Sequence, residues 1–364
     1  MPTRFDVPPH IATIKPYCPG KPVEALEREY GIKNSIKLAS NENPLGPSPM
    51  AVEAVRAALT KLNRYPDGSG HDLIGKLSDF LKVSPGRIVL GNGSDEIIIL
   101  LARVLLPPGS EAIIPRSSFS MYDISVRSCN AVPVYTPLDH ISIDLEKIAE
   151  AVTSATRIIF LCNPNNPTGT IIRKSDFDRF LMDIPSDVVI VLDEAYAEFV
   201  RDSDCACGPD YLDSGKNIVF LRTFSKVYGI AGLRIGYGVM PEHLAELLNR
   251  IRPPFNTGSL AQAGAAAALE DKDFLKKSIR LVHDELDFLY ASLDKMGIAY
   301  FPTQTNFFLI DVGKNAQSVY EDLLRKGVIV RSMLSYGYSE YIRVSVGRRE
   351  ENIRFLKALE TVLK

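Results

Sequence analysis

Short apolar runs rich in β-branched residues recur along the chain at 88–90, 111–114, 131–135, 158–161, 188–192 and 218–221, each bounded by polar or turn-forming residues. A run that is apolar throughout, rather than alternating, suits a strand covered on both faces. Segments of helical spacing separate these runs, among them 97–105. Strands alternating with helices predict βαβ crossovers and a largely parallel sheet flanked by helices.

The ends of the chain read differently. The N-terminal segment is rich in proline and carries an amphipathic stretch at 23–30, which predicts an arm followed by one helix. Helical spacing over 50–62 is broken by the loop Arg64-Tyr65-Pro66-Asp67-Gly68-Ser69-Gly70, and a helix at 73–80 leads into the first strand. The alanine-rich stretch 259–269 and the charged, apolar-striped run 273–296 predict long helices bridging to a second unit. There, strands at 307–310 and 342–346 and helices at 319–325 and 350–363 predict a small α+β domain.

A chain of 364 residues with 46% apolar content exceeds one typical domain and can bury a large core, so two domains are expected. A net charge of -2 and no dense Lys/Arg block argue against nucleic-acid binding. No run reaches membrane-spanning length, and the N-terminus lacks the apolar stretch of a signal peptide, so a cytoplasmic location is expected. The five cysteines, Cys18, Cys129, Cys162, Cys205 and Cys207, are scattered without zinc spacing and are expected to stay reduced. No histidine falls in a catalytic pattern, and no metal site is expected.

Candidate chemistry gathers behind three of the apolar runs. The run at 218–221 leads into Ser225-Lys226-Val227-Tyr228-Gly229-Ile230-Ala231-Gly232-Leu233-Arg234. A lysine so placed suits Schiff-base chemistry, since desolvation and nearby cations lower its pKa and free the amine to attack an aldehyde. Ser225 and Arg234 suit a phosphate. The run at 188–192 ends in Asp193-Glu194-Ala195-Tyr196, and an acid there points into the crevice where open α/β sheets bind ligands. Alone, Asp193 reads as a helix cap. The run at 158–161 leads into Asn163-Pro164-Asn165-Asn166-Pro167-Thr168-Gly169. Upstream, Gly91-Asn92-Gly93-Ser94-Asp95-Glu96 follows a strand and opens a helix, which reads equally as an anion-binding helix start or as a tight turn with its cap.

These three motifs, in this order, resemble those of the fold type I aminotransferases that use pyridoxal phosphate, and from about Tyr17 onward the chain is similar to the histidinol-phosphate aminotransferases. The resemblance implies an α/β fold with a large cofactor-binding domain over 45–265 and a discontinuous small domain made of 1–44, including the arm, and 266–364. It also implies that Lys226 holds the cofactor and moves the proton, that Asp193 pairs with the ring nitrogen, and that Asn166 and Tyr196 reach the ring oxygen. Gly93, Ser94, Asp95, Ser225 and Arg234 would form the phosphate cup. Phe119 would stack on the ring face, where many relatives carry tyrosine or tryptophan; core packing is the competing reading.

Further implications concern partners and substrate. Tyr65 matches a residue that reaches the neighbouring subunit's cofactor phosphate, so a homodimer with shared active sites is expected. Arg343 and Arg331 match substrate-gripping positions, and two guanidinium groups suit a phosphate dianion better than one carboxylate. Tyr17 and Asn41 match substrate-side positions, with docking of the arm and a turn as their structural alternatives. The expected reaction moves an amino group between L-histidinol phosphate and 2-oxoglutarate in histidine biosynthesis. The rivals are an aromatic amino-acid aminotransferase, a threonine-phosphate decarboxylase, and a transcription regulator, although only a short proline-rich segment precedes the main domain to hold a DNA-binding unit.

Overall fold

The computed structural model describes residues 6–17, 19–313 and 315–364. Strands β1 (Ile88–Gly91), β2 (Glu111–Pro115), β3 (Val132–Thr136), β4 (Thr156–Cys162), β5 (Val189–Asp193), β6 (Asn217–Thr223) and β7 (Gly236–Val239) form one sheet in the order β1-β7-β6-β5-β4-β2-β3. β2 to β6 run parallel, and β7 is antiparallel to both β1 and β6. The sequence pattern foretold six of these strands. It missed β7, whose Gly236-Tyr237-Gly238-Val239 lacks the apolar run, because a central strand here is built on glycine. A Cβ on Gly236 would stand 2.6 Å from the Ser94 amide nitrogen, so the strand passes too close to the start of helix Ser94–Leu105, which follows β1, for a side chain.

Burial on both faces explains the unbroken apolar runs. Ile158, Phe160, Val189, Val191, Val219 and Leu221 face one core layer, while Ile159, Leu161, Ile190, Leu192, Ile218 and Phe220 face the other. Helix Ser94–Leu105 belongs to the first layer, burying Ile97, Ile98, Leu100 and Leu101. The second layer continues into the C-terminal part of the chain through Leu286, Leu289, Phe307, Phe308 and Val344.

That part contains a second, antiparallel sheet of β8 (Tyr300–Phe301), β9 (Phe307–Asp311), β10 (Arg331–Ser332) and β11 (Tyr341–Ser345) in the order β8-β9-β11-β10. The 25-residue helix Lys272–Met296 leads to it, capped by Asp271, whose side chain accepts from the Phe274 amide. The alanine-rich helix, by contrast, is only Ser259–Ala268. Near the N-terminus, helix Val23–Tyr30 forms as its amphipathic spacing predicts, and Ile36–Lys37 then pairs in parallel with Val328–Ile329. The Ser345 amide donates to Leu38 O at 2.9 Å, which draws residues 39–42 between the two sheets. Among the described residues no helix is long and apolar enough to cross a membrane.

Candidate active site

Parallel strands end at one edge of their sheet, and three neighbouring ends here deliver the motifs. The β4–β5 register sets Cys162 beside Asp193, and that of β5–β6 sets Asp193 beside Leu221, two residues before Thr223. Beyond them a cavity of about 440 Å³ opens between the two sheets. Its lining includes Tyr17, Asn41, Ser94, Asp95, Phe119, Asn166, Asp193, Tyr196, Ser225, Lys226, Arg234, Arg331 and Arg343, so residues far apart in the sequence meet around one space.

Lys226 Nζ lies 3.3 Å from Ser40 O and 5.6 Å from the centre of the Tyr196 ring. Burial, with the Arg343 charge, pulls its ammonium down to about 8. About a tenth is therefore already a neutral, nucleophilic amine at pH 7, far more than for an ordinary lysine. Asp193 is buried, and its Oδ2 accepts from Tyr122 Oη at 2.7 Å. Burial pushes its carboxyl up to about 6, against the pull of the Tyr122 hydrogen bond.

The opposite wall of the cavity is a polar network. Tyr196 Oη accepts from Asn41 Nδ2 at 3.0 Å and from Asn166 Nδ2 at 3.4 Å. Arg343 donates to Asn166 Oδ1 and, at 2.9 Å, to Ala39 O, and its guanidinium lies 4.8 Å from the centre of the Phe307 ring. Asn163 and Asn165 are occupied elsewhere: Asn163 bonds Ala206 O and the Ile172 amide, and Asn165 bonds Thr168. Of the three motif asparagines, Asn166 alone lines the cavity.

At the other end, helix Ser94–Leu105 points its first turn at the cavity, and Arg234 closes the cup, with NH1 donating to Ser225 Oγ at 3.3 Å. Gly93 has φ of 81°, and a Cβ on it would come 2.7 Å from the Arg234 guanidinium. Its contribution is the missing side chain. Asp95 pairs with Arg234 at 3.4 Å and so holds the cation rather than an anion.

Six buried side-chain polar atoms among the described residues lack a partner, and two of them, Asp193 Oδ1 and Arg343 Nε, belong to this cavity. Unsatisfied buried polar atoms are costly and scarce, so their concentration here marks a place for a ligand. Unpaired helix N–H groups, Ser225 and Arg234 suit a phosphate at one end, and Asp193 suits a protonated ring nitrogen. Pyridoxal phosphate fits this donor set.

A match to the model for "Aminotransferase class I and II" spans residues 33–359. The chain belongs to this aminotransferase family. It is 46% identical to histidinol-phosphate aminotransferase 1 of Nitrosococcus oceani over 97% of its own length and 96% of the relative's. A histidinol-phosphate aminotransferase of Carboxydothermus hydrogenoformans is also 46% identical, over 97% of this chain and 98% of that protein. Among solved structures, the histidinol-phosphate aminotransferase of Sinorhizobium meliloti in complex with pyridoxal-5'-phosphate superposes with a TM-score of 0.90 at 29% identity, covering 99% of this chain and 98% of that one. The architecture is therefore that of the fold type I aminotransferases.

Of the family-matched residues, Gly93 borders the cavity behind Arg234 without lining it, and Tyr65 lies away from it. Tyr65 is 83% exposed and stacks on Phe255 at 4.7 Å. Sequence reasoning missed Tyr122, Ser40 and Tyr336. Tyr122 follows Phe119 by three residues at the start of the next helix, a spacing that offered a signal; Ser40 acts through its carbonyl and carries none. Cys129, Cys162, Cys205 and Cys207 are free thiols, whereas Cys18 lies outside the described residues. Among the described residues no group of three or more His, Cys, Asp or Glu is disposed to hold a metal ion.

Proposed function

We propose that this chain is a pyridoxal-phosphate-dependent histidinol-phosphate aminotransferase, moving an amino group between L-histidinol phosphate and 2-oxoglutarate in histidine biosynthesis. Family membership and full-length relatives at 46% identity support the activity. The observation that carries the donor is the pairing of Arg331 with Arg343 on adjacent strands, both facing the cavity that holds Lys226. Two guanidinium groups brought together on one wall favour a strongly anionic group, and a phosphate dianion offers enough acceptors and charge to meet both.

When bound, the cofactor supplies an electron sink for the charge left by proton removal at the donor carbon. Lys226 would anchor it covalently and, as an amine whose pKa burial lowers to about 8, would carry that proton away and return it. Asp193 would hold the ring nitrogen protonated. Asn166 and Tyr196 would offer hydrogen-bonding groups to the ring oxygen, and Phe119 would cover one face. Ser94, Ser225, Arg234 and the helix start below Gly93 hold the phosphate, with Asp95 aligning Arg234. Tyr17 and Asn41 border the donor. Tyr65, too exposed to serve its own cavity, completes the partner's phosphate cup in a homodimer.

An amino-donor panel tests the reading by following conversion of the cofactor between aldehyde and amine forms. Histidinol phosphate should outrun phenylalanine, tyrosine and unphosphorylated histidinol. Faster turnover of the aromatic amino acids would reassign the enzyme to aromatic transamination, and release of carbon dioxide from phosphothreonine would reassign it to decarboxylation.

A further inference from the structure

Tyr122 belongs to helix Met121–Ser128 and is fully buried. Its ring lies on Phe160 of β4 with centroids 4.8 Å apart and planes 6° from parallel, and it meets the Phe119 ring edge-on at 5.7 Å. Clamped on two sides, the ring aims its hydroxyl at Asp193 Oδ2, 2.7 Å away, while Oδ1 has no protein partner. One side chain thus touches both the aromatic assigned to the cofactor face and the carboxylate assigned to its ring nitrogen.

We propose that Tyr122 is a positioning residue that fixes which Asp193 oxygen meets the ring nitrogen and keeps that carboxylate ionised; this rests on the cofactor reading above. A carboxylate free to rotate about its last bond could offer either oxygen, whereas one that accepts a short hydrogen bond on Oδ2 presents Oδ1 alone. Hydrogen bonding to the charged form also opposes burial, which otherwise favours the neutral acid. The titratable groups facing Asp193 are Cys162 from β4, Asp95 from helix Ser94–Leu105, and Glu194 and Tyr196 beyond its own strand. Asp95 and Glu194 act against its charge; Tyr122 is the side chain that supports it.

Tyr122→Phe removes the hydroxyl and keeps the stack. In the apoprotein, the Asp193 titration followed by carbon NMR should move upward from about 6, by roughly one unit. In the cofactor-loaded protein, the NMR shift of an isotopically labelled ring nitrogen should move toward that of neutral pyridine. Fluorotyrosine at the same position, a stronger donor of nearly the same shape, should shift both in the opposite sense and keeps the test open if the phenylalanine variant folds poorly. Turnover should fall at least tenfold, and Asp193→Asn with Tyr122→Phe should be no slower than Asp193→Asn alone, because Tyr122 acts through Asp193. Unchanged titration and ring-nitrogen shift in a variant that still traps the cofactor on Lys226 would overturn the proposal and leave the function intact. Loss of covalent trapping in the unmodified protein would overturn both.

Discussion

Arg331 and Arg343 stand directly opposite one another across the antiparallel β10–β11 pair. Like charges in that position destabilise a sheet. Arg343 is 7% exposed, and burial together with the Arg331 charge lowers its pKa. The fold tolerates this because Arg343 bonds Asn166 and Ala39 O, and under the proposed function an anionic substrate would add to that compensation.

Arg331→Ala should therefore impair the histidinol-phosphate half-reaction more than the glutamate one. A charged hydrogen bond is worth about 1.5–3 kcal/mol, so the selective loss should be roughly ten- to hundredfold. Single-turnover kinetics of each half-reaction measure it. Equal losses would mean that Arg331 only supports the fold.

Cofactor capture by the apoprotein should depend on pH through Lys226. Its pKa is lowered to about 8, so the reactive neutral amine grows with pH below that value and saturates above it. The capture rate should rise about tenfold per pH unit on the acid side and level off near pH 8. Lys226→Ala should abolish turnover, and borohydride reduction with peptide mapping should find the pyridoxyl group on Lys226; finding it on another lysine would refute the assignment.

Asp193→Asn should trade function for stability. The folded pKa of Asp193, about 6, lies above its ordinary 3.8, so the stability it contributes is complete below pH 3.8 and lost as pH rises through 6. Above pH 6 the apoprotein bears a cost on the order of 2–3 kcal/mol, which the amide removes. Denaturant melts should find the apo variant more stable than the parent at pH 7 and the difference gone near pH 4. Its turnover should drop by orders of magnitude, since an amide cannot hold the ring nitrogen protonated.

Mixing inactive Lys226→Ala and Tyr65→Ala proteins should restore a fraction of the activity through hybrid dimers. If both variants fold and dimerise yet hybrids stay inactive, Tyr65 does not serve the neighbouring site.

Arg222 and Glu194 form a buried ion pair at 2.8 Å one residue from Thr223 and Asp193, with the Glu194 side chain 1% exposed. Glu194 also accepts from the Gly208 amide. Arg222→Ala would leave that carboxylate buried and unpaired, at a cost of about 3–5 kcal/mol. Chemical denaturation should reveal this loss even without cofactor.

Much of the fold was determined by the sequence itself, through local physics. Apolar runs specify strands covered on both faces, and the motifs at their ends named Lys226, Asp193, Asn166 and Tyr196. Tertiary structure decided what depends on contact between distant segments. β7 is a strand because β1 and β6 flank it, not because Gly236 and Gly238 favour extended backbone. The hydroxyl of Tyr122 acquires a role only when a helix sets it 2.7 Å from Asp193, 71 residues away in sequence. Arg331 and Arg343 likewise come to stand opposite one another only through the register of β10 with β11. Periodicity reports which face of an element is buried; register and packing determine which side chains meet there, and those are properties of the whole chain.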